Sequence, residues 1–170
     1  MEIKKKQPPH LRFLIRGAII AALYASLAVL LAPISYGPVQ VRFSEILTVL
    51  PFFFPEAIWG LTLGCFVANL ASPFGWIDYI FGSLCTLCAG GLTYYLRRTG
   101  NPYWGILPPI IINALGVGLY VSILINEPPS FHWLTYAGVA LSIGAGQAIA
   151  VGGGGSMLIH FIQKYKEKWL

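Results

Sequence analysis

Gly, Pro and charged residues divide the chain into apolar stretches at 11–33, 44–54, 55–71, 77–96, 103–125 and 133–163, where about 20 apolar residues suffice to cross a bilayer. Backbone polar groups in hydrocarbon must be satisfied within their own segment or in a closed barrel. Barrel strands would alternate over about 10 residues, whereas these runs are continuous, so they predict helices. Charged residues make up 10% of the chain against about 25% in soluble domains, which excludes a soluble globule. Too little sequence lies between the runs for a separate domain of about 100 residues. The expectation is an all-α integral membrane protein, a six-transmembrane-helix bundle forming one membrane domain over 1–170.

The second stretch is the exception in length. Eleven residues, 44–54, reach about 16 Å as an α-helix against a core of about 30 Å. Pro51 and Pro55 point to a short or broken second helix, buried so that freed backbone groups find partners. The first stretch exceeds the core of a signal peptide and has no A-x-A exit before Pro33, so it is expected to be retained.

Ten of the eleven Lys and Arg flank alternate ends of the stretches. Lys4, Lys5, Lys6, Arg12 and Arg16 lie at the first, Arg97 and Arg98 after the fourth, and Lys164, Lys166 and Lys168 at the end of the chain. The positive-inside rule then sets both termini cytoplasmic, with 1–10 a basic cytoplasmic N-terminus and 34–43 an external loop. The eleventh base, Arg42, falls in that loop, three residues before Glu45. These bases form no patch interleaved with stacking aromatics, so no nucleic acid is expected; membrane lipid is the simpler anionic partner.

Arg42, Glu45, Asn69, Asp78, Asn113, Glu127 and Gln147 crowd the outer half of this topology. Polar groups inside a membrane are costly and usually face a bundle interior or a wet cavity, which predicts a pocket open to the outside for a small-molecule ligand. Tyr36, Trp76, Tyr120 and Trp133 lie on the same side, where they would stack on a planar molecule. Helical spacing groups Thr62, Phe66 and Asn69 on one face and Asn113, Gly116 and Tyr120 on another, with Gly116 giving a ring room to approach. Plainer readings stand beside these. Arg42 and Glu45 also suit an i, i+3 pair or a helix dipole; Asn69, Asn113 and Gln147 suit helix-to-helix hydrogen bonds. Asp78 suits a cap, Trp76 and Trp133 an interfacial belt, and Glu127 a solvated loop. Glu56, at the inner turn, is expected to cap a helix or meet a partner.

No constellation for catalysis is visible. Cys85 and Cys88 form a CxxC without a second pair, which favours packing over zinc or redox chemistry. His10, His132 and His160 are scattered, so neither metal nor cofactor is expected. The run Gly152 to Gly155 lacks the Lys of a phosphate loop, so the chain is not expected to hydrolyse ATP; its glycines predict a bend or a close neighbour. On the first stretch Ala18, Ala22 and Ser26 recur every four residues, as do Ala21 and Ala25, a small-residue stripe for packing inside the bundle or for docking.

The blocks APISYGPVQVRFSEILTVLPFFFPEAIWGLTLGCFVANL, GWIDYIFGSLCTLCAGGLTYYLRR and PPIIINALGVG resemble the QueT family, substrate-binding S components of energy-coupling factor (ECF) transporters associated with import of queuosine precursors. The resemblance implies a multi-pass protein of the bacterial cell membrane whose pocket lies under the loop at 34–43. Its implied partners are an ECF transmembrane coupling subunit, met through Ala18, Ala22, Ala21 and Ala25, and two ATPase subunits that drive reorientation. For a deazaguanine such as prequeuosine, Glu45 would accept from the ring edge, Asn69, Asn113 and Gln147 would complete it, and Arg42 would order Glu45 or the loop. Asp78 or Glu127 would pair with an aminomethyl ammonium, with Trp76 and Tyr120 flanking the ring. Gln147 after Gly146 departs from the Glu expected there. Alternatives are an S component for another vitamin or heterocycle, a stand-alone secondary transporter, and a structural membrane protein without a ligand.

Overall fold

The computed structural model describes residues 8–31 and 41–169, with side chains as far as Tyr165. Helices account for all regular structure among the described residues: α1 (Pro9–Leu30), α2 (Phe43–Phe52), α3 (Ala57–Asn69), α4 (Asp78–Thr99), α5 (Pro102–Leu124) and α6 (Trp133–Tyr165, running on to Trp169). By length and composition α1, α4, α5 and α6 can cross a membrane, whereas α2 and α3 are shorter apolar helices. Most of the expected external loop, with Tyr36, lies outside the described residues, as do Lys4 to Lys6.

Pro9 opens α1 in the first turn, where its missing N–H costs nothing. Only Ile20 and Tyr24 of this helix are buried, while Leu14, Ile19, Leu23 and Leu30 are exposed, a surface suited to hydrocarbon. The buried side meets α3 at very short range. A Cβ on Gly60 would stand 2.5 Å from the Gly17 carbonyl oxygen, and one on Gly64 would stand 2.8 Å from both the Ala21 carbonyl oxygen and the Tyr24 Cβ. Glycines four apart let two backbones approach in lipid, and here they set the rotation of α3. The small-residue stripe of α1 is thereby divided: Ala21 and Ala25 are half-buried, Ala18, Ala22 and Ser26 exposed. Arg16 closes the crossing at the end nearer the start of α1, its Nη1 3.3 Å from Glu56 Oε1. Glu56 thus pairs within the chain, and its side chain makes no capping bond to α3.

The short second helix lies at the centre. It is 3₁₀ over ten residues with Pro51 inside, and at about 2 Å per residue it spans less than the hydrocarbon. Its ends bear i to i−3 bonds, Glu45 N to Arg42 O at 3.0 Å and Phe53 N to Leu50 O at 2.9 Å. Ser44, Glu45, Thr48, Val49, Pro51 and Phe52 are buried, and α1, α3, α4, α5 and α6 all pack around them. The glycine run of α6 is part of this packing. A Cβ on Gly154 would stand 2.6 Å from Ile46, and one on Gly155 3.0 Å from Val49 Cγ1, while Gly152 and Gly153 face open space.

Three helices widen into π turns, at Asp78–Gly82 in α4, Asn113–Val117 in α5 and Ala148–Gly155 in α6. Such turns recur at functional sites because they re-aim side chains. Here each starts at, or directly after, a polar residue: Asp78, Asn113 and Gln147.

Gly64→Leu is expected to destabilise the protein by at least about 1–3 kcal/mol through overpacking, read as a lower unfolding temperature in detergent. Gly138→Ala, where an added Cβ meets nothing within 4 Å, should leave that temperature nearly unchanged.

Candidate functional site

At the start of α2, Glu45 is 2% exposed, and both of its carboxylate oxygens accept hydrogen bonds. Tyr24 Oη on α1 donates to Oε1 at 2.5 Å, and Asn113 Nδ2 on α5 donates to Oε2 at 3.2 Å. The Thr48 hydroxyl, one turn along, donates to the Glu45 backbone carbonyl at 2.6 Å. An otherwise apolar interior therefore holds a carboxyl group between three helices by hydrogen bonds from two of them.

A second set of groups adjoins it. Asn69, at the end of α3, accepts from Arg42 Nη1 at 3.4 Å through Oδ1 and donates through Nδ2 to the Asp78 backbone carbonyl at 3.2 Å. Arg42 Nη2 lies 3.9 Å from Asp78 Oδ2, and Tyr120 Oη on α5 donates to Asp78 Oδ1. Gly82 makes the arrangement possible, since a Cβ there would stand 2.7 Å from Asn69 Nδ2 and 3.3 Å from Tyr120 Oη.

Arg42, Glu45, Cys65, Thr86, Asn113 and Gln147 line a cavity of about 10 Å³, about the least that admits one water. Gln147 Oε1, Asp78 Oδ2 and Ser44 Oγ are buried without a hydrogen-bond partner among the described residues. Each such group costs about 1–3 kcal/mol. Two of the three are obligate acceptors, and Gln147 shares the cavity with the Glu45 carboxyl group.

Seven of the expected residues are thus brought together: Arg42, Glu45, Asn69, Asp78, Asn113, Tyr120 and Gln147. Trp76 is 59% exposed and stands outside the cluster, Trp133 packs on Phe131 and Tyr136, and Glu127 is exposed. The grouping of Thr62 and Phe66 with Asn69 on a pocket-facing side of α3 is corrected. The buried face of α3 carries Leu61, Cys65, Ala68 and Asn69, and Phe66 lies instead against Tyr79, ring centroids 5.4 Å apart. Gly116 admits Cys85 Sγ, 2.8 Å from its would-be Cβ, which gives that half of the CxxC a packing role. Tyr24, Thr86 and Cys65 are cluster residues that spacing did not reveal. The signal for Tyr24 was present: a phenol in mid-helix needs a partner when buried.

The sequence model of the family described as QueT transporter matches residues 14–164. The chain belongs to the QueT transporter family. It is 47% identical over 91 residues to a protein of Lactococcus lactis subsp. cremoris (strain MG1363) named Queuosine precursor transporter QueT, a stretch covering 51% of this chain and 53% of that relative. The matched chain therefore spans about half the length of the curated relative. No solved structure matches. Every polar contact of the cluster falls within the residues matched to the QueT family.

Tyr24→Phe leaves a buried carboxylate oxygen without its shortest donor, an expected loss of about 1–3 kcal/mol. Tyr24→Phe combined with Glu45→Gln should cost less than the sum of the two single changes, since the residues share one bond. Thermal unfolding of the three variants in detergent checks both expectations.

Proposed function

We propose that this member of the QueT transporter family is the substrate-binding membrane subunit of an ECF-type ABC importer, and that its ligand is a queuosine precursor of the deazaguanine class, such as prequeuosine. The observation that carries the reading is the excess of buried acceptors. Glu45 and Gln147 line one small cavity, Asp78 Oδ2 lies 3.9 Å from Arg42, which also lines it, and a deazaguanine presents adjacent N–H donors along its edge. Asn113, Gln147 or Arg42 would donate to the ring carbonyl, and Asp78 would pair with an aminomethyl ammonium. The name borne by the Lactococcus relative points to the same substrate class.

A bicyclic ring needs far more than the about 10 Å³ between these side chains, so binding includes a separation of α2 from the π turns of α4, α5 and α6. The basic residues set both termini inside a bacterial cell membrane in a multi-pass arrangement, which puts the Glu45 cluster towards the outer face and its capture step there. Release inside follows reorientation driven by two ATPase subunits through a transmembrane coupling subunit. Ala18 and Ala22, exposed on α1, offer that subunit a close-packing surface. Ala21 and Ala25 share the stripe, but Ala21 already lies against Gly64, so the docking assignment rests chiefly on the exposed pair.

Titration of the purified chain with prequeuosine, guanine and unrelated vitamins is expected to give a selective, saturable rise in unfolding temperature. Glu45→Ala should weaken binding more than tenfold, about 1.4 kcal/mol per decade. A flat response to the deazaguanine with a rise for another heterocycle would transfer the site to that ligand; uptake by the chain alone, without ATP, would make it a secondary transporter.

A further inference from the structure

Another cavity lies at the other end of α2. It measures about 690 Å³, within the about 300–1,000 Å³ of small-molecule sites, and no role in the Glu45 cluster accounts for it. Its walls are apolar: Ile20 of α1, Phe52 and Phe54 at the end of α2, and Phe161 of α6. Its charged lining is cationic and comes from two helices, Arg16 of α1 and Arg97 of α4. Arg16 is held in place by Glu56 at 3.3 Å and lies 5.8 Å from the Phe54 ring centroid. Arg97 is exposed and has no carboxylate within 4.0 Å among the described residues. The neighbouring Arg98 stacks on Tyr95 at 4.7 Å instead and does not line the cavity.

We propose that this cavity binds an anionic phospholipid, its phosphate between Arg16 and Arg97 and an acyl chain against Phe52, Phe54 and Phe161. The combination decides the class. Guanidinium groups match phosphate oxygens in forked geometry, and a free anion would leave the aromatic walls unused. A detergent tail would use the walls and ignore both arginines, and phosphatidylcholine sets a trimethylammonium beside its phosphate, a like charge to the two guanidinium groups. The site is at the basic end of the bundle, and basic pockets between membrane helices on the inner side are suited to anionic headgroups. The proposal is independent of the ligand assigned to the Glu45 cluster.

The test uses the full chain in a neutral detergent, with native mass spectrometry and thermal unfolding as readouts. The probes are dioleoyl phosphatidylglycerol, dioleoyl phosphatidylcholine and inorganic phosphate. Phosphatidylglycerol should be retained over phosphatidylcholine by about fivefold or more, the worth of one arginine near a membrane surface, and should raise the unfolding temperature. Arg97→Gln should remove about fivefold of that preference, whereas Arg98→Gln should leave it intact. Arg16→Gln leaves Glu56 buried alone, so that arm uses Arg16→Gln with Glu56→Gln, which should also lower retention. Equal retention of the two lipids, equal loss in Arg97→Gln and Arg98→Gln, or full stabilisation by inorganic phosphate would each overturn the proposal. A lipid-free, concentration-dependent dimer would likewise overturn it in favour of a second copy of the chain.

Discussion

The Glu45 carboxylate, bonded to Tyr24 and Asn113 in an apolar interior, is the constraint on which the rest of the bundle turns. Leaving a buried carboxylate oxygen without its donor costs about 1–3 kcal/mol, so the helices that carry the donors must stay close. Gly60 and Gly64 serve that need on one side: they let α1 approach α3 until Tyr24 reaches Glu45. Gly154 and Gly155 serve it on the other by seating Ile46 and Val49 of α2 against α6. The glycines are thus the steric conditions for a polar centre, and the lipid-facing surface of α1 follows from its having only one buried side.

Much of this was legible in the sequence, for reasons that can be named. Long apolar runs impose helices in hydrocarbon, and polar residues interrupting them must converge, which is why seven widely separated positions meet. The short second helix followed from Pro51 and from length alone. Rotation of α3 was not legible from spacing, because Gly60 and Gly64, absent from any apolar or polar face, decide it by turning toward α1. Tyr24 was hidden for a related reason: its ring counts as apolar in a hydrophobic run, although its hydroxyl is the closest donor to Glu45. Trp76 read as a stacking ring and stands exposed, since an aromatic near a membrane surface has an interfacial use as well.

The π turns connect this architecture to transport in the QueT transporter family. They coincide with Asp78, Asn113 and the residues after Gln147, so the helical ladder is interrupted where the cluster would have to part around a ligand. A regular helix resists such movement, while a turn already widened shifts its side chains with less disruption. Two cavities of very different volume, about 10 and 690 Å³, lie at the two ends of α2. The smaller is polar and self-bonded, the larger apolar with a cationic rim, and their chemistry divides the bundle into two ends suited to different molecules.

The central claim is that the ligand proposed for this member of the QueT transporter family is bound by the Glu45 cluster. An experimentally determined structure of the chain with prequeuosine bound tests it most directly. The account predicts the ring between α2, α5 and α6, its N–H edge on Glu45 and Gln147, with the bond from Tyr24 or Asn113 to Glu45 lengthened. A ring in the Arg16 and Arg97 cavity, with the Glu45 cluster closed as described, would contradict it.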